Sequence, residues 1–459
     1  MRRRKLRQPV VPPLAPLPPP AARMSVGWKW ATALVFCAYL GLAMGHLAIT
    51  PVAPASSVNY INAPDEAAHL GYVRALVEGH RLPVRNDPDF PTYEWHQPPL
   101  YYVLGVALYG ADGQAVRCVS VGLGLVGLLL IFLAAWRLFP GDPTLAVFAT
   151  GFAALLPMRQ AITASVGNDV LTEVCFSLTL LLLIEAFRNG LTAQRAAYIG
   201  FAFGAALLTK ATGLLLLPVV LAALPLLARE GETVPMLWKG GVIILAMAAL
   251  MSAGWFAHNR TLYHEFTPVR AFVHEFEGTA KARDWIGKQP LAVNFWTGDL
   301  ELSDTMTRAS YLMLVANWTF RTFWAAYTPP RKAAVGAPEF LPPPFYALYG
   351  FFSAIALAGL VRLHCRRKTE FSGLQRKVIL LLLLTIFLVA ASFGGFVWTF
   401  FQAQGRYLYP AMLPLSLLAA LGLRAMLPTR YRNLGMVLTL ALFFMLALAF
   451  LLTVMNAYS

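Results

Sequence analysis

Two acidic residues and a histidine near the start of the chain carry groups able to bind a polar ligand or to move protons. Residues 62–80 read NAPDEAAHLGYVRALVEGH, so Asp65 and Glu66 follow Pro64, and His69 comes four residues after Asp65. Proline opens helices and acids favour the first helical turn, so the pattern also has a purely structural explanation. Residues four apart nevertheless share one helical face, which groups Asp65 with His69.

A second polar set and several isolated cations accompany these acids. Glu94, His96 and Gln97 lie together in the stretch 93–99, just before a short apolar run. A single cation at a helix end is usually an anchor that reaches the membrane surface, whereas several on one face would form a phosphate site. Glu173, inside a predicted helix, could serve function or pair with a cation. The cations at predicted outer helix ends are Arg117, Arg159, Lys210, Arg260 and Arg406.

The composition predicts that helices in a membrane position these residues. The chain has 459 residues, of which 58% are hydrophobic and 13% are charged, and its mean hydropathy is +0.60. Soluble domains carry about 25% charged residues, so the values exclude a soluble enzyme, a disordered protein and a nucleic-acid-binding domain. The net charge of +15 is explained by basic residues in cytoplasmic loops of a membrane protein. We therefore expect an all-α, polytopic membrane protein with no nucleic-acid partner.

Eleven apolar runs predict transmembrane helices, because about 20 residues cross the hydrocarbon core. A further run, 98–110, is too short to cross comfortably and is predicted to be interfacial or re-entrant. If the N-terminus is inside and 98–110 does not cross, basic residues fall on every cytoplasmic connection. The eleven runs lie near residues 28–49, 115–136, 143–160, 169–187, 195–211, 212–228, 238–256, 345–361, 378–400, 407–424 and 434–455.

This topology divides the chain into a tail and one transmembrane domain. Residues 1–27 form a basic, proline-rich cytoplasmic tail with little to bury, and residues 28–459 form the transmembrane domain. Two large outer loops follow, at 50–114 and 258–343. The acids, histidines and isolated cations then stand at the outer boundary, which favours a site for a polar group attached to a lipid.

Short motifs along most of the chain resemble the GT-C glycosyltransferases of the protein O-mannosyltransferase and aminoarabinose-transferase type. The resemblance lies in the order and the common outer placement of these motifs. They are Pro64-Asp65-Glu66 with His69, Gln97-Pro98-Pro99-Leu100-Tyr101-Tyr102, Arg117, Asn168-Asp169, Leu208-Thr209-Lys210 and Gln404-Gly405-Arg406-Tyr407.

The resemblance implies inverting transfer of a sugar from a polyprenyl-phosphate donor to an acceptor hydroxyl. Asp65 is then the base and Glu66 a neighbour that positions or tunes it. An inverting transfer needs one carboxylate near the acceptor, and the departing phosphate needs positive charge rather than an acid. The residues expected to bind substrate are His69, Glu94, His96, Gln97, Arg117, Asn168, Asp169, Lys210, His258, Arg260, Gln404, Arg406 and Tyr407.

The chain departs from the family pattern at two places. Aminoarabinose transferases carry Glu-Lys before the Pro-Pro pair, where this chain has His96-Gln97. Many relatives carry an aromatic-x-Arg-Asn pattern after the seventh helix, where this chain has His258 in the arginine position and Arg260 nearby. We assign no metal ligands and no cofactor from the sequence, and a divalent metal stays open.

Two other classes of function remain alternatives to the transferase. A secondary transporter would place polar sites near the membrane midplane and often contains inverted repeats. A non-catalytic member of the same fold would bind lipid without turnover. The resemblance favours a multi-pass protein of the bacterial cytoplasmic membrane with its site facing outward, membrane lipids as neighbours, and a glycan, lipid or protein as acceptor.

Overall fold

The structure is a computed structural model that describes residues 24–53, 58–110, 113–228, 234–279, 281–287, 290–293, 300–334 and 336–459. The predicted basic tail, residues 1–27, therefore lies almost wholly outside the described residues. Within the described ranges the protein is all-α apart from two short antiparallel strands, β1 (Pro290–Val293) and β2 (Leu300–Thr305). The fold class predicted from composition is confirmed.

Seventeen α-helices form the described part of the chain. Five 3₁₀ segments connect them, at Tyr93–His96, Ala211–Leu215, Pro330–Lys332, Gly405–Ala411 and Thr429–Tyr431. The helices are α1 (Val26–Ile49), α2 (Glu66–Glu78), α3 (Leu100–Val106), α4 (Gln114–Leu138), α5 (Pro143–Ala154), α6 (Pro157–Thr163), α7 (Asp169–Asn189), α8 (Ala193–Leu207), α9 (Leu216–Leu227), α10 (Val234–Tyr263), α11 (Val269–Glu275), α12 (Ala282–Trp285), α13 (Arg308–Trp324), α14 (Pro343–Glu370), α15 (Gly373–Thr399), α16 (Met412–Met426) and α17 (Arg432–Tyr458).

Eight helices in the described ranges are long and apolar enough to cross a membrane, and a bent pair would make nine. The expected number was eleven. Every predicted run lies on a helix or on the bent pair, but three of the runs fall on shorter or broken elements: α5 with α6, α8, and the helical segment Ala211–Leu227. α8 has 15 residues and is about 22 Å long, less than the core thickness of about 30 Å. Length and composition therefore support eight or nine spans.

The run 98–110 contains no helix of spanning length. Its helix, α3, has seven residues and is only about 10 Å long. The two predicted outer loops are also largely structured rather than irregular. The segment 50–114 contains α2, the 3₁₀ turn at Tyr93–His96 and α3, whereas 258–343 contains α11, α12, the strands and α13.

The break between α5 and α6 explains two charged residues. Pro157 begins α6, and the two helices meet at 64°. Fully buried Arg159 binds the Glu173 carboxylate, with Nε–Oε2 at 2.9 Å, and its Nη2 donates to Gly124 O. Gln160 donates to Ala154 O near the break. Arg159 is therefore a structural partner of Glu173 and not a cation at an outer helix end.

The bundle has two chemically distinct ends. Along α4, Arg117 near the acidic motif and Arg137 are about 30 Å apart. At the Arg137 end, basic side chains bind carboxylates and helix carbonyls: Arg137 with Glu185, Arg424 with Asp142, Arg188 with the Arg137 carbonyl and Lys377 with the Leu226 carbonyl. These are residues that the positive-inside rule assigned to the cytoplasmic side. The acids and cations of the candidate site gather at the opposite end.

Candidate active site

The backbone at Asp65 is unusual, and a neighbouring asparagine holds it. Asp65 precedes α2 with φ at 60°, the left-handed region that non-glycine residues rarely occupy. The Asn59 side chain accepts from the Asp65 amide and donates to Asp65 Oδ1, both at 3.2 Å. The Tyr93 hydroxyl also donates to Oδ1, at 2.9 Å. Such strain persists where surrounding contacts determine the conformation, and it is common at functional sites.

The carboxylates of Asp65 and Asp169 meet two cations, Arg406 and Lys210. Arg406 Nη2 lies 2.6 Å from Asp65 Oδ2, and Arg406 Nη1 lies 3.1 Å from Asp169 Oδ2. Lys210 binds the other oxygen of Asp169. Asp65 precedes α2, Asp169 begins α7, Lys210 follows α8 and Arg406 lies in the 3₁₀ segment before α16, so the fold joins four distant parts of the sequence. The structure thus brings together four residues that the sequence analysis assigned to the site, and Arg117 is not among them.

The Arg406 side chain is oriented by its neighbours on the same segment. Its Nε donates to Gln404 Oε1 at 2.7 Å, and its Nη2 is 3.5 Å from the Tyr407 hydroxyl. The Tyr407 hydroxyl itself donates to Gln402 Oε1 at 2.8 Å. A Cβ on Gly405 would stand 2.3 Å from the Phe323 backbone, so only glycine permits this close approach.

His69 and Glu94 lie next to Asp65. One ligand atom from each of the three side chains lies within 4.8 Å of the others, and both His69 and Glu94 are buried. The Tyr102 hydroxyl is 2.9 Å from His69 Nδ1 and fixes the orientation of the ring. Thr92 ties the Tyr93–His96 turn to α2, because its hydroxyl donates to Ala68 O and accepts from the Glu94 amide. An Asp, a His and a Glu together could hold a divalent metal.

Glu66 and Arg117 form a separate, fully buried pair. Arg117 Nε donates to Glu66 Oε1 at 2.7 Å and its Nη2 binds Oε2. The remaining N–H groups of Arg117 donate to the carbonyls of Leu47, Thr50 and Pro51. All five guanidinium donors are thus used by the protein itself. The expectation that Arg117 helps bind a phosphate is therefore not supported by the geometry, and Arg117 instead neutralises Glu66.

Three further predicted residues, Asn168, Gln97 and His96, border the cluster. Asn168 donates to Gln97 Oε1 at 3.1 Å and to Thr209 O, which connects the start of α7 with the end of α8. His96 donates through Nδ1 to Tyr93 O at 2.8 Å, so its Nε2 accepts from Gln97 at 3.0 Å. His96 and Lys210 also line a groove whose other walls are mainly apolar, with Trp255, Phe256 and Leu214 among them.

Two predicted residues are not brought to the cluster. The His258 ring stacks on Trp255, with ring centres 5.6 Å apart, and Arg260 is exposed and binds the carbonyl of His264. Among the described contacts, neither residue touches Asp65, Asp169 or Lys210. Both lie near the end of α10, which continues to Tyr263, beyond the end predicted for the seventh apolar run.

Burial and charge set the protonation of the groups outside the spanning helices. Burial raises the pKa of Asp65, but the charge of Arg406 and the hydrogen bonds from Arg406 and Tyr93 outweigh it and hold that pKa below its usual value. Burial raises the pKa of Glu94. Burial also lowers the pKa of His69, and it lowers that of His96 to about 4. At neutral pH Asp65 is therefore ionised and both histidines are neutral.

Sequence reasoning did not select Asn59 as a site residue. Asn59 comes before the tight turn of Tyr60 and Ala63, whose backbones pair, and its amide donates to Ala333 O in the other outer segment. Asparagine is common near turns because its side chain bonds to the local backbone. Residue type alone therefore could not show that Asn59, rather than the nearby Asn62, contacts Asp65. Tyr93 and Tyr102, which contact Asp65 and His69, stood in quoted motifs without an assigned role.

The chain is similar to known proteins in sequence over one region and in fold over most of its length. Residues 96–253 match the family described as dolichyl-phosphate-mannose-protein mannosyltransferase. The structure of ArnT from Cupriavidus metallidurans bound to undecaprenyl phosphate aligns with a TM-score of 0.51 and 16% identity, over 91% of this chain and 64% of that one. The chain adopts the GT-C glycosyltransferase fold. The resemblance inferred from the motifs is confirmed.

Other GT-C structures align equally well. The apo oligosaccharyltransferase of Archaeoglobus fulgidus gives a TM-score of 0.53 at 15% identity, over 93% of this chain and 57% of that one. The structure of the oligosaccharyltransferase AglB from Archaeoglobus fulgidus, in complex with an inhibitory peptide and a dolichol-phosphate, gives a TM-score of 0.52 at 16% identity, over 92% of this chain and 56% of that one. No curated protein sequence gives a significant match. The chain spans 56–64% of the length of these GT-C proteins, and identities this low establish the fold alone.

Proposed function

We propose that the protein is an inverting glycosyltransferase that moves a sugar from a polyprenyl-phosphate donor to an acceptor hydroxyl. The observation that carries the proposal is the ionised Asp65 carboxylate 2.6 Å from Arg406, with Lys210 joined to the same cluster through Asp169. A base for the acceptor and cations for the departing phosphate are thus adjacent. Transfer from a donor with a phosphate leaving group needs a base for the acceptor and positive charge for the phosphate, and this cluster offers both.

The chemistry of each residue follows from its position. Asp65 takes the proton of the acceptor hydroxyl, whose oxygen then forms the new bond to the anomeric carbon. The bond from that carbon to the phosphate oxygen breaks, and the phosphate keeps the electron pair. Arg406 and Lys210 stabilise the negative charge that develops there, because charge-assisted hydrogen bonds are the strongest that side chains make. Attack from the face opposite the leaving phosphate inverts the anomeric carbon.

The groove beside Lys210 suits the lipid part of such a donor. Its walls include Trp255, Phe256 and Leu214 together with Lys210. Apolar walls beside a cation match a molecule with a hydrocarbon chain and a phosphate head. The sugar and the acceptor, whether glycan, lipid or protein, are not specified by these contacts.

We propose eleven membrane crossings, with the active site on the outer side of a bacterial cytoplasmic membrane. Eight long helices and the bent α5–α6 pair would be joined by α8 and by Ala211–Leu227, each with 15 to 17 residues. The reason is charge, because the Arg137 end then faces inward and obeys the positive-inside rule. The test uses single cysteines in a background without the native cysteines. A cysteine in place of Asp89 should react with an impermeant reagent added outside, whereas one in place of Glu370 should react only after permeabilisation. The reverse labelling would refute this orientation.

The function is tested with purified protein and a panel of polyprenyl-phosphate sugars offered with glycan, lipid and peptide hydroxyls. Release of polyprenyl phosphate and glycosylation of the acceptor are measured for wild type, Asp65→Asn and Asp89→Asn. We expect about 10²- to 10⁴-fold slower transfer for Asp65→Asn, with donor binding within a few-fold of wild type. Asp89 has a side chain that is 72% exposed and lies in the same segment, so Asp89→Asn should behave as wild type.

Each alternative predicts a different result. A lipid-binding protein without catalysis would bind donors and release no polyprenyl phosphate from any of them. A secondary transporter would move a substrate across a sealed vesicle without forming a new glycosidic bond. Transfer at an unchanged rate in Asp65→Asn would show that Asp65 only begins a helix.

A further inference from the structure

Five arginines lie at the Arg137 end of the bundle, opposite the candidate active site. The ends of α14 and α16 meet there, because Arg362 Nη1 donates to the Ala425 carbonyl at 3.1 Å. A 3₁₀ turn then leads from α16 into α17. The arginine cluster consists of Arg362 and Arg366 near the end of α14, Arg424 in the last turn of α16, Arg430 in the 3₁₀ turn and Arg432 at the start of α17.

Most of the positive charge of the arginine cluster is not neutralised by the described residues. Arg424 pairs with Asp142, with Nη2 and Oδ2 2.8 Å apart, and the other four arginines form no ion pair within the described ranges. Arg362 and Arg366 are four residues apart on one helical face, where like charges destabilise a helix. Cations in a last helical turn stabilise the helix dipole, but the last turn of α14 comes after Arg366. The helix dipole therefore does not explain why these two arginines are there.

The start of α17 has donors without acceptors. Tyr431, the residue before the helix, makes no side-chain cap, and the first turn contains no acid. The first N–H groups of a helix have no partner within it, and they favour a negative charge. Arg432 instead adds a positive charge, and the Nε atoms of Arg424 and Arg432 are buried without an acceptor among the described residues. Because buried donors normally have a partner, this position suits an oxyanion.

The face of α17 that follows the arginine cluster is apolar and uncovered. Tyr431, Leu434 and Leu438 recur at helical spacing, and each is more than half exposed. Arg430 lies over the Tyr431 ring, with its Cζ 5.2 Å from the ring centre. Tyrosine is enriched where a spanning helix meets the membrane surface, and α17 is long and apolar enough to span. Cations next to an exposed apolar helix face match an amphiphile with a phosphate head better than a free anion or an acidic protein.

We propose that the arginine cluster binds the phosphate head group of an anionic phospholipid whose acyl chains lie along Leu434 and Leu438. Guanidinium groups match phosphate oxygens bidentately, and basic sites between helix ends are suited to anionic head groups. α17 is about 40 Å long, and Tyr458 at its far end donates to Asn62 in the first outer segment. The lipid site is therefore separate from the Asp65 site, and the proposal does not rest on the proposed function.

Lipid binding is measured with purified protein in a neutral detergent after bound lipid has been removed. Phosphatidylglycerol and phosphatidylcholine with identical acyl chains are titrated, and bound lipid is counted by native mass spectrometry. Wild type should bind one phosphatidylglycerol more tightly than phosphatidylcholine. The double variant Arg430→Gln with Arg432→Gln should lose about 25-fold in phosphatidylglycerol affinity, because each cation near a membrane surface contributes about fivefold.

A matched variant distinguishes a defined site from diffuse attraction. Arg367→Gln with Lys368→Gln removes the same charge from the last turn of α14, outside the arginine cluster, and should bind phosphatidylglycerol like wild type. Arg430→Lys with Arg432→Lys should recover only part of the affinity, because lysine binds phosphate as a point charge. Melting temperatures without lipid verify that each variant is folded. Phosphatidylglycerol should raise the melting temperature of wild type but not that of Arg430→Gln with Arg432→Gln.

Three outcomes would overturn the proposal. Equal wild-type affinity for the two lipids would exclude recognition of an anionic head group. Equal losses in the two glutamine double variants would show attraction to the overall positive charge rather than a site. Displacement of phosphatidylglycerol by the same concentration of glycerol phosphate would show that the acyl chains contribute nothing. None of these measurements involves sugar transfer, so failure of the proposed function would leave their result unchanged.

Discussion

Replacement of Arg117 by glutamine should destabilise the protein without removing a contact to substrate. Arg117 is fully buried and gives five hydrogen bonds, two to Glu66 and three to carbonyls at the end of α1. Without Arg117, Glu66 stays 1% exposed and keeps the Val166 amide, 2.8 Å away, as its main described partner. Breaking a buried pair by removing one member costs about 3–5 kcal/mol. The loss should therefore be large for a single substitution.

Neutralising both members should recover much of that loss. In the double variant Glu66→Gln with Arg117→Gln no charge remains buried, and paired replacement of a buried ion pair is often tolerated. We would compare melting temperatures and inactivation half-lives in detergent for wild type, Arg117→Gln, the double variant and Arg260→Gln. Arg260 is an exposed arginine at the end of α10, so Arg260→Gln should match wild type.

Donor affinity distinguishes the structural role of Arg117 from the phosphate-binding role that the sequence predicted. If Arg117 bound the phosphate, Arg117→Gln would melt like wild type and lose at least about tenfold in donor affinity, the value of one charge-assisted hydrogen bond. That combination would refute the structural role. A strongly destabilised Arg117→Gln whose folded fraction binds donor normally would confirm it.

Three other perturbations test the cluster around the base. Arg406→Gln should weaken donor use roughly 10- to 150-fold, and Arg406→Lys should recover only part, because lysine binds phosphate as a point charge; donor titrations measure both. Because the pKa of Asp65 is held low, kcat should decrease only when the pH drops below the range in which carboxyl groups usually titrate. Arg406→Gln should shift this decrease to higher pH, which a pH–rate profile measures. Asn59→Ala should lower kcat with little change in donor KM, because Asn59 positions Asp65. The control Asn62→Ala loses contacts to Thr328 and Tyr458 and should instead lower the melting temperature. Unchanged kcat in Asn59→Ala would contradict a positioning role.

The convergence of the site could be predicted from the sequence because it depends mainly on topology. Helix ends on one side of a membrane share a thin layer, so Asp65, Asp169, Lys210 and Arg406 needed only the correct side to become neighbours. The positive-inside rule predicted one common side for all four. The all-α class followed from the apolar composition, because backbone groups in lipid must form their hydrogen bonds within each segment.

The pairing of individual charges could not be predicted in the same way. Whether an arginine faces a substrate or a carboxylate depends on which helix faces meet. Glu173 is paired because α5 and α6 bend and bring Arg159 inside the bundle. Pro157 was a local signal for that bend, because proline disfavours a helical residue before it. The length of 18 residues in the run 143–160 concealed the break.

The number of unused donors explains why two arginines predicted for one role have different roles. Every N–H of Arg117 is bonded within the protein, so a phosphate could bind it only by displacing Glu66 or a helix carbonyl. Arg406 has four contacts, one of them as long as 3.5 Å, and in the described part of the chain its Nη1 has one partner for two hydrogens. Lys210 has three ammonium hydrogens and one carboxylate partner in the same ranges. A phosphate can therefore join Arg406 and Lys210 without breaking an existing bond. Substitution of Lys210 should change donor affinity more than stability, the reverse of the order expected for Arg117. Substitution of Arg406 should lower both, because Arg406 is buried and pairs with Asp65 and Asp169.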